Sequence, residues 1–360
     1  MDSGFGIYIF LWIYLLFMWF FFQVVYSNKI LFSLFVYGML LFVSAFRGDG
    51  VGADTYTYLN SFSLLGKINI FGYYTETFEI GYVLLNKILY FFTNDAQIVL
   101  FVCSFFTLSL LGGFFYKYST NYYISTVLFV GMGFYTLTFT AIRQWLAIAI
   151  ACWGMAALWN SRRVLGGGLL LISGMFHTTA LLLLPLILFA PIDKMKYFTL
   201  VLIMVMVYLG IHNSGLDFLS PFMEGTGKFD HYLISRYNTS TDFGLGILKI
   251  IVSIVVVWGA WNKICNCYVM EINEKQKIMW ICIMLLIGAF IMLLGYDVQI
   301  ISRAAYNFFI FICLAIPFLQ PKNKVYSLMY HLLVIIGSSI YFYQSINADR
   351  QYYIYTNIFF

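Results

Sequence analysis

The sequence predicts an all-α fold, a polytopic helical integral membrane protein with about 12 transmembrane helices. Three observations predict it. The chain of 360 residues is 62% hydrophobic and only 10% charged, against roughly 25% charged in a soluble domain. Apolar runs of about 20 residues recur along it, each long enough to cross the roughly 30 Å hydrocarbon layer. The short alternating segments of a membrane β-barrel are absent from the sequence. The net charge of +5 leaves no nucleic-acid footprint. It fits basic residues facing anionic lipid at the membrane surface.

Taken in order, spans are expected at 5–26, 29–46, 97–116, 121–138, 143–160, 161–176, 178–192, 197–211, 243–262, 278–295, 304–320 and 325–344. The first lacks a basic start and runs too long before any small-residue cleavage site to read as a signal peptide, so it is taken as a retained span. The segments 161–176 and 178–192 are read as two short helices meeting at His177, because "SGMFHTT" interrupts the apolar run with small and polar groups. The whole chain, 1–360, forms one membrane domain, and three polar segments exceed turn length, at 47–96, 213–242 and 263–277. Within the first, "FEIGYVLLNKILYFF" at 78–92 is too short to span. It reads as an interfacial or re-entrant helix, with Glu79, Asn86 and Lys87 roughly on one face.

Charge gives the orientation. Lys29, Lys117, Arg162, Arg163, Lys194, Lys196, Lys322 and Lys324 occupy the short turns. With 263–277 they are expected on the cytoplasmic side. The segments 47–96 and 213–242 and both termini then lie outside. Arg47, Arg143, Arg236 and Arg303 fall on that outer side, where orientation does not require them. A guanidinium offers phosphates and carboxylates a rigid, permanently charged fork.

The stretch "FRGDGVGADTYTYLNSF" at 46–62 contains G-x-G-x-G. A dinucleotide loop would follow a strand, whereas this one follows a membrane helix. Its glycines are read as sharp turns, leaving Arg47 and Asp54 as the groups to explain and Tyr56 and Tyr58 at the interface. Arg143 and Gln144 open an otherwise apolar helix in "FTAIRQWLAIAIACW". An arginine inside hydrocarbon costs at least about 2.5 kcal/mol, so lining a polar cavity competes with snorkelling outward. His177 is ionisable within an apolar run, and such groups mostly face cavities or partners. His212, His231 and His331 have no comparable setting. Neither the histidines nor the six cysteines show metal-ligand spacing, and no disulfide framework is legible.

In this order, "FRGDGVGADTYTYLNSF", "EIGYVLLNKIL", "IRQWLAIAI" and "FHTTALLLLPL" resemble the EpsG-like branch of bacterial polysaccharide polymerases, the Wzy-type O-antigen or capsule polymerases. Arg47, Asp54 and Tyr58 match that family's Arg, then Gly and Asp, then Tyr pattern. Glu79 heads the second motif, without the proline of the family's Glu-Pro-Gly start. Arg143 and Gln144 carry the third and His177 the fourth. The resemblance covers most of 46–190; the C-terminal half matches only in its pattern of spans and an outer loop.

The resemblance implies extracytoplasmic loops forming a saccharide site on the outer face of the bacterial inner membrane. There a growing glycan would pass from undecaprenyl diphosphate to the non-reducing end of an incoming lipid-linked repeat unit, with no cofactor and no metal. The implied partners are the lipid-linked oligosaccharide, the bilayer, a flippase and a chain-length regulator, with no nucleic acid. For that chemistry Arg47, Arg143, Gln144, Arg236, Arg303 and Tyr58 are expected to bind substrate or the leaving diphosphate. His177, Glu79 and Asp54 are candidates for the base, their order left open. An O-antigen ligase, another polyprenyl-dependent glycosyltransferase, or a transporter of the lipid-linked oligosaccharide are the alternatives. A transporter often carries an internal repeat, and 46–96 has no clear counterpart in the C-terminal half.

Overall fold

Within hydrocarbon a backbone must satisfy its own polar groups, which favours helices, and the computed structural model is almost entirely helical. It describes residues 5–68, 78–214, 243–266, 270–295, 299–348 and 354–358. In chain order the helices are α1 (Gly6–Phe20, prolonged by a π turn, Phe21–Val25), α2 (Lys29–Ala45), α3 (Thr55–Lys67), α4 (Ile80–Phe92), α5 (Gln97–Tyr118), α6 (Tyr122–Gly131), α7 (Phe134–Thr140), α8 (Ile142–Trp159) and α9 (Arg163–Phe176). A 3-10 helix, Thr178–Phe189, follows. Then come α10 (Lys194–Ser214), α11 (Phe243–Asn266), α12 (Ile272–Leu294), α13 (Gln299–Ala304), α14 (Tyr306–Phe309), α15 (Ile312–Phe318) and α16 (Lys324–Ala348). Asn28 and Asn121 cap α2 and α6, each side chain accepting from backbone N–H groups of the first turn.

Seven of the described helices are long and apolar enough to cross a membrane, or eight if α6 and α7 count as one span bent by 51°. The expected spans at 29–46, 161–176 and 178–192 prove shorter, at 17, 14 and 12 residues. The two short segments meet at His177, whose backbone is extended. The span expected at 121–138 is broken at Gly133, which adopts φ +73. The span expected at 304–320 is interrupted by i→i+3 bonds, such as Phe308 N to Ala305 O and Phe311 N to Phe308 O. Both breaks contact one residue of α11. Lys249 is 3% exposed, and its ammonium lies 5.2 Å from the Phe134 ring, 4.7 Å from Tyr306 and 5.2 Å from Tyr341.

Polar contacts sort the helix ends into two groups. At one end, cations cap helix C-termini, where carbonyls are left over and the helix dipole is negative. Lys277 Nζ donates to Tyr118 O of α5, Lys263 to Phe318 O of α15 and Arg163 to Ala190 O. Asn121 donates to Gln320 across the same end. This is the end carrying the lysine-rich turns. The opposite end gathers the C-termini of α2, α7 and α9, the N-termini of α4 and α8, and α13. Beneath it a separate apolar cluster from α3, α4, α5 and α8, including Tyr58, Phe62, Tyr82, Leu100 and Leu146, forms the floor of the site.

Candidate active site

The loop after α2 turns on Gly52, at φ +89, where a Cβ would lie 2.5 Å from Phe139 O. Arg47 holds this loop. It is wholly buried, and its guanidinium donates to Ser44 O, to Val51 O at 3.3 Å and to Phe139 O at 3.2 Å. Ser44 and Phe139 lie in the last turns of α2 and α7, so Arg47 satisfies leftover carbonyls of two helix ends at once. Burial lowers its pKa to about 10, with Tyr135 and Tyr8 opposing, so it stays cationic at neutral pH. The C-terminal tail seals the loop, Gly48 N donating to Thr356 O at 2.8 Å and Ile358 N to Phe46 O at 3.2 Å. Arg47 thus binds backbone and makes no pair with Asp54, and its enclosed guanidinium faces no substrate space.

Glu79 occupies the N-cap position of α4 but caps nothing with its side chain. It turns instead to two residues far away in sequence. Arg143, in the first turn of α8, forms an ion pair with Glu79 Oε2. His177, at the end of α9, places Nδ1 3.0 Å from Glu79 Oε1. Burial raises the Glu79 carboxyl, but the His177 hydrogen bond and the Arg143 charge outweigh it and hold it near 2. An ionised carboxylate only accepts, so Nδ1–H of His177 donates. In the neutral ring Nε2 then carries the free lone pair. The guanidinium of Arg143 sits in an aromatic box, 4.9 Å from the Phe78 ring, 5.7 Å from Tyr82 and 5.8 Å from Tyr58.

Close packing of α4 on α9 makes the Glu79–His177 contact possible. A Cβ on Gly81 would lie 2.7 Å from Met175 O, two residues before His177. Gly81→Val is therefore expected to push α4 off α9, break the Glu79–His177 contact and lower the melting temperature of the detergent-solubilised protein. Melting unchanged from that of the parent would refute the dependence of this contact on the close packing at Gly81.

The remaining candidates divide by their contacts. Asp54 is half-buried, and its carboxylate makes no hydrogen bond or ion pair among the described residues. Burial raises its carboxyl, opposed by the charges of Arg303 and Arg143, so both guanidiniums bear on it electrostatically. Arg303, on α13, is half-buried. Gln144 is 4% exposed and donates to Arg303 O at 2.8 Å, fixing the interrupted helix against α8. Asn307 donates to Thr179 Oγ1 at 3.1 Å, tying the same helix to the segment after His177. Tyr58 is buried at the box wall, whereas Tyr56 is exposed. Arg236 lies outside the described residues. The site thus brings together Asp54, Tyr58, Glu79, Arg143, His177 and Arg303, with Gln144 as a tie and Arg47 apart.

The sequence pattern of the EpsG family matches residues 29–357 of the chain. The chain belongs to the EpsG family. That family comprises Wzy-like polysaccharide polymerases. The comparison with curated proteins and that with solved structures give no match. The match runs from the start of α2 to the tail that seals the loop, so it covers every residue assembled above. Two members of this EpsG site escaped sequence reasoning, Phe78 and Tyr82. Their signal, aromatics at i and i+4 around Glu79, is weak in a chain that is 21% aromatic.

Proposed function

We propose that this EpsG-family chain extends a lipid-linked glycan, with His177 as the base. The observation that carries the proposal is the hydrogen bond from His177 Nδ1 to a carboxylate that Arg143 also holds. In this reading His177 Nε2 takes the proton of the acceptor hydroxyl as its oxygen bonds to the anomeric carbon of the growing chain. The bond from that carbon to the lipid diphosphate breaks, and its electron pair stays on the phosphate oxygen. Arg303, whose guanidinium makes no hydrogen bond among the described residues, offsets the charge gathering there. Glu79 is a positioning residue. Undecaprenyl diphosphate is the lipid carrier in this proposal. The positive-inside rule supports placing the lysine-rich end in the cytoplasm and the site on the outer face of the inner membrane.

The test is the surface polysaccharide of a deletion strain carrying plasmid copies. Deletion should leave single repeat units in place of a ladder, and the unaltered copy should restore the ladder. His177→Asn should lower extension by about 10²- to 10⁴-fold at normal abundance. Loss of all polysaccharide from the lipid core on deletion would instead indicate a ligase. One observation favours a second base: Asp54 is uncommitted and its carboxyl is raised by burial. If Asp54→Asn abolishes the ladder while His177→Asn keeps it, the base is Asp54.

A further inference from the structure

The lysine-rich end, opposite the active site, contains a cavity of about 240 Å3 lined by Lys194, Trp261, Ile264, Cys265, Lys275 and Met279. It lies where α10 and α12 begin and α11 ends. Lys194, Lys196, Lys263, Lys275 and Lys277 lie on α10, α11 and α12 at this end, and three of them are committed to carbonyls. Lys196 donates to Pro191 O at 3.0 Å, Lys263 to Phe318 O and Lys277 to Tyr118 O at 3.3 Å. The ammonium groups of the two that line the cavity, Lys194 and Lys275, have no hydrogen bond or ion pair among the described residues. Acidic groups stand nearby in the same turns, at Asp193, Glu271 and Glu274, yet none pairs with either lysine among the described residues. Asp193 instead accepts from Lys196 N at 2.9 Å.

Both free ammonium groups sit in the first turn of their helices, where the helix dipole adds positive potential. The walls hold steady. Gln276 donates to Ile192 O at 3.3 Å, joining α12 to the segment before α10, and Trp261 stacks on Tyr197 at 5.4 Å. Two ammonium groups unpaired among the described residues, two helix N-termini and an indole match a phosphate group with an apolar attachment. Exposed apolar side chains flank the cavity at Met195, Phe198 and Ile272, giving acyl chains a surface to lie on. We infer that this cavity binds the phosphodiester headgroup of an anionic phospholipid. The inference stands on this end of the molecule alone and does not depend on the reaction proposed for the other end.

Cys265 supplies the reporter. It lines the cavity and is exposed, whereas Cys103, Cys152, Cys282 and Cys313 are buried. The experiment follows alkylation of Cys265 by an uncharged maleimide, using the full chain with Cys267→Ser in lipid nanodiscs. Phosphatidylglycerol mixed into phosphatidylcholine discs should slow the reaction at least about fivefold relative to pure phosphatidylcholine. Lys194→Gln with Lys275→Gln should abolish that protection. Lys322→Gln with Lys324→Gln removes equal charge from the same end and should retain it. Equal rates in both lipids would overturn the inference. So would protection that survives loss of Lys194 and Lys275, or that is lost equally with Lys322 and Lys324, since bulk surface charge would then explain it. Protection by soluble glycerol phosphate in phosphatidylcholine discs, without an effect of phosphatidylglycerol, would overturn the lipid as the source.

Discussion

Arg47→Ala is expected to remove most of the folded protein from the membrane fraction. The guanidinium is buried and donates to three carbonyls, two of them in terminal helix turns. Alanine removes all three donors at about 1–3 kcal/mol for each lost bond, less at Val51 O and Phe139 O, which also accept from Thr55 Oγ1. Over the three bonds the loss is about 3 kcal/mol or more, a large fraction of the whole stability of many domains. The contact of the Arg47 guanidinium with the Phe139 ring, 4.9 Å away, is lost as well. Lysine should rescue little, because a single ammonium does not reproduce the planar fork that meets α2, the loop and α7 together. Asp54→Asn should leave stability intact, since that carboxylate bonds nothing among the described residues. The measurement is melting of detergent-solubilised protein, with abundance alongside. An Arg47→Ala protein melting within about 2 °C of the parent would contradict the loop-clamp role.

Arg47 also marks where sequence reasoning stops. The spans are legible because hydrocarbon imposes one simple condition, an apolar run of sufficient length. The break at Gly133 is hidden because Val130, Met132 and Phe134 around it are apolar; within 299–318 Arg303 and Asn307 are visible, but the i→i+3 bonds beside them are not. An arginine among glycines and aspartates looks substrate-facing, but its partners are backbone carbonyls, and every residue has one. Only the fold decides that Phe139 O, 92 positions away, is within reach. The same holds for Glu79, 64 positions from Arg143 and 98 from His177. Each side chain stood out as ionisable in an apolar setting. Their pairing did not, because it rests on α4 lying against α9 at Gly81. What could be read was the ordered set of motifs, and those motifs converge on one end of the bundle. Arg303 was visible as an outer arginine, whereas its link to the first half depends on Gln144, read beforehand as a substrate ligand.

Glu79→Gln should separate positioning from folding. One carboxylate holds both the Arg143 guanidinium and the His177 ring, and the amide cannot hold them in the same way. Its oxygen can still accept, but the negative charge that fixes the His177 Nδ1–H tautomer is gone. Removing one member of a buried charge pair typically costs about 3–5 kcal/mol. Melting should therefore fall at neutral pH, and extension should drop by about 10²-fold or more. Titration supplies a readout that a purely steric defect would not give. The folded carboxyl lies near 2, below its ordinary value of 4.5. Its contribution to stability is complete above the ordinary value and is lost as pH falls towards 2. The gap in melting temperature between the parent and Glu79→Gln should thus be widest near neutrality and narrow between about pH 4.5 and pH 2. A gap that stays constant over that window would show that Glu79 is not held ionised by His177 and Arg143. Coupling supplies the second readout. If Glu79 acts on the reaction through His177, Glu79→Gln combined with His177→Asn should be little worse than His177→Asn alone. Multiplying losses would assign Glu79 a role of its own at the reacting centre.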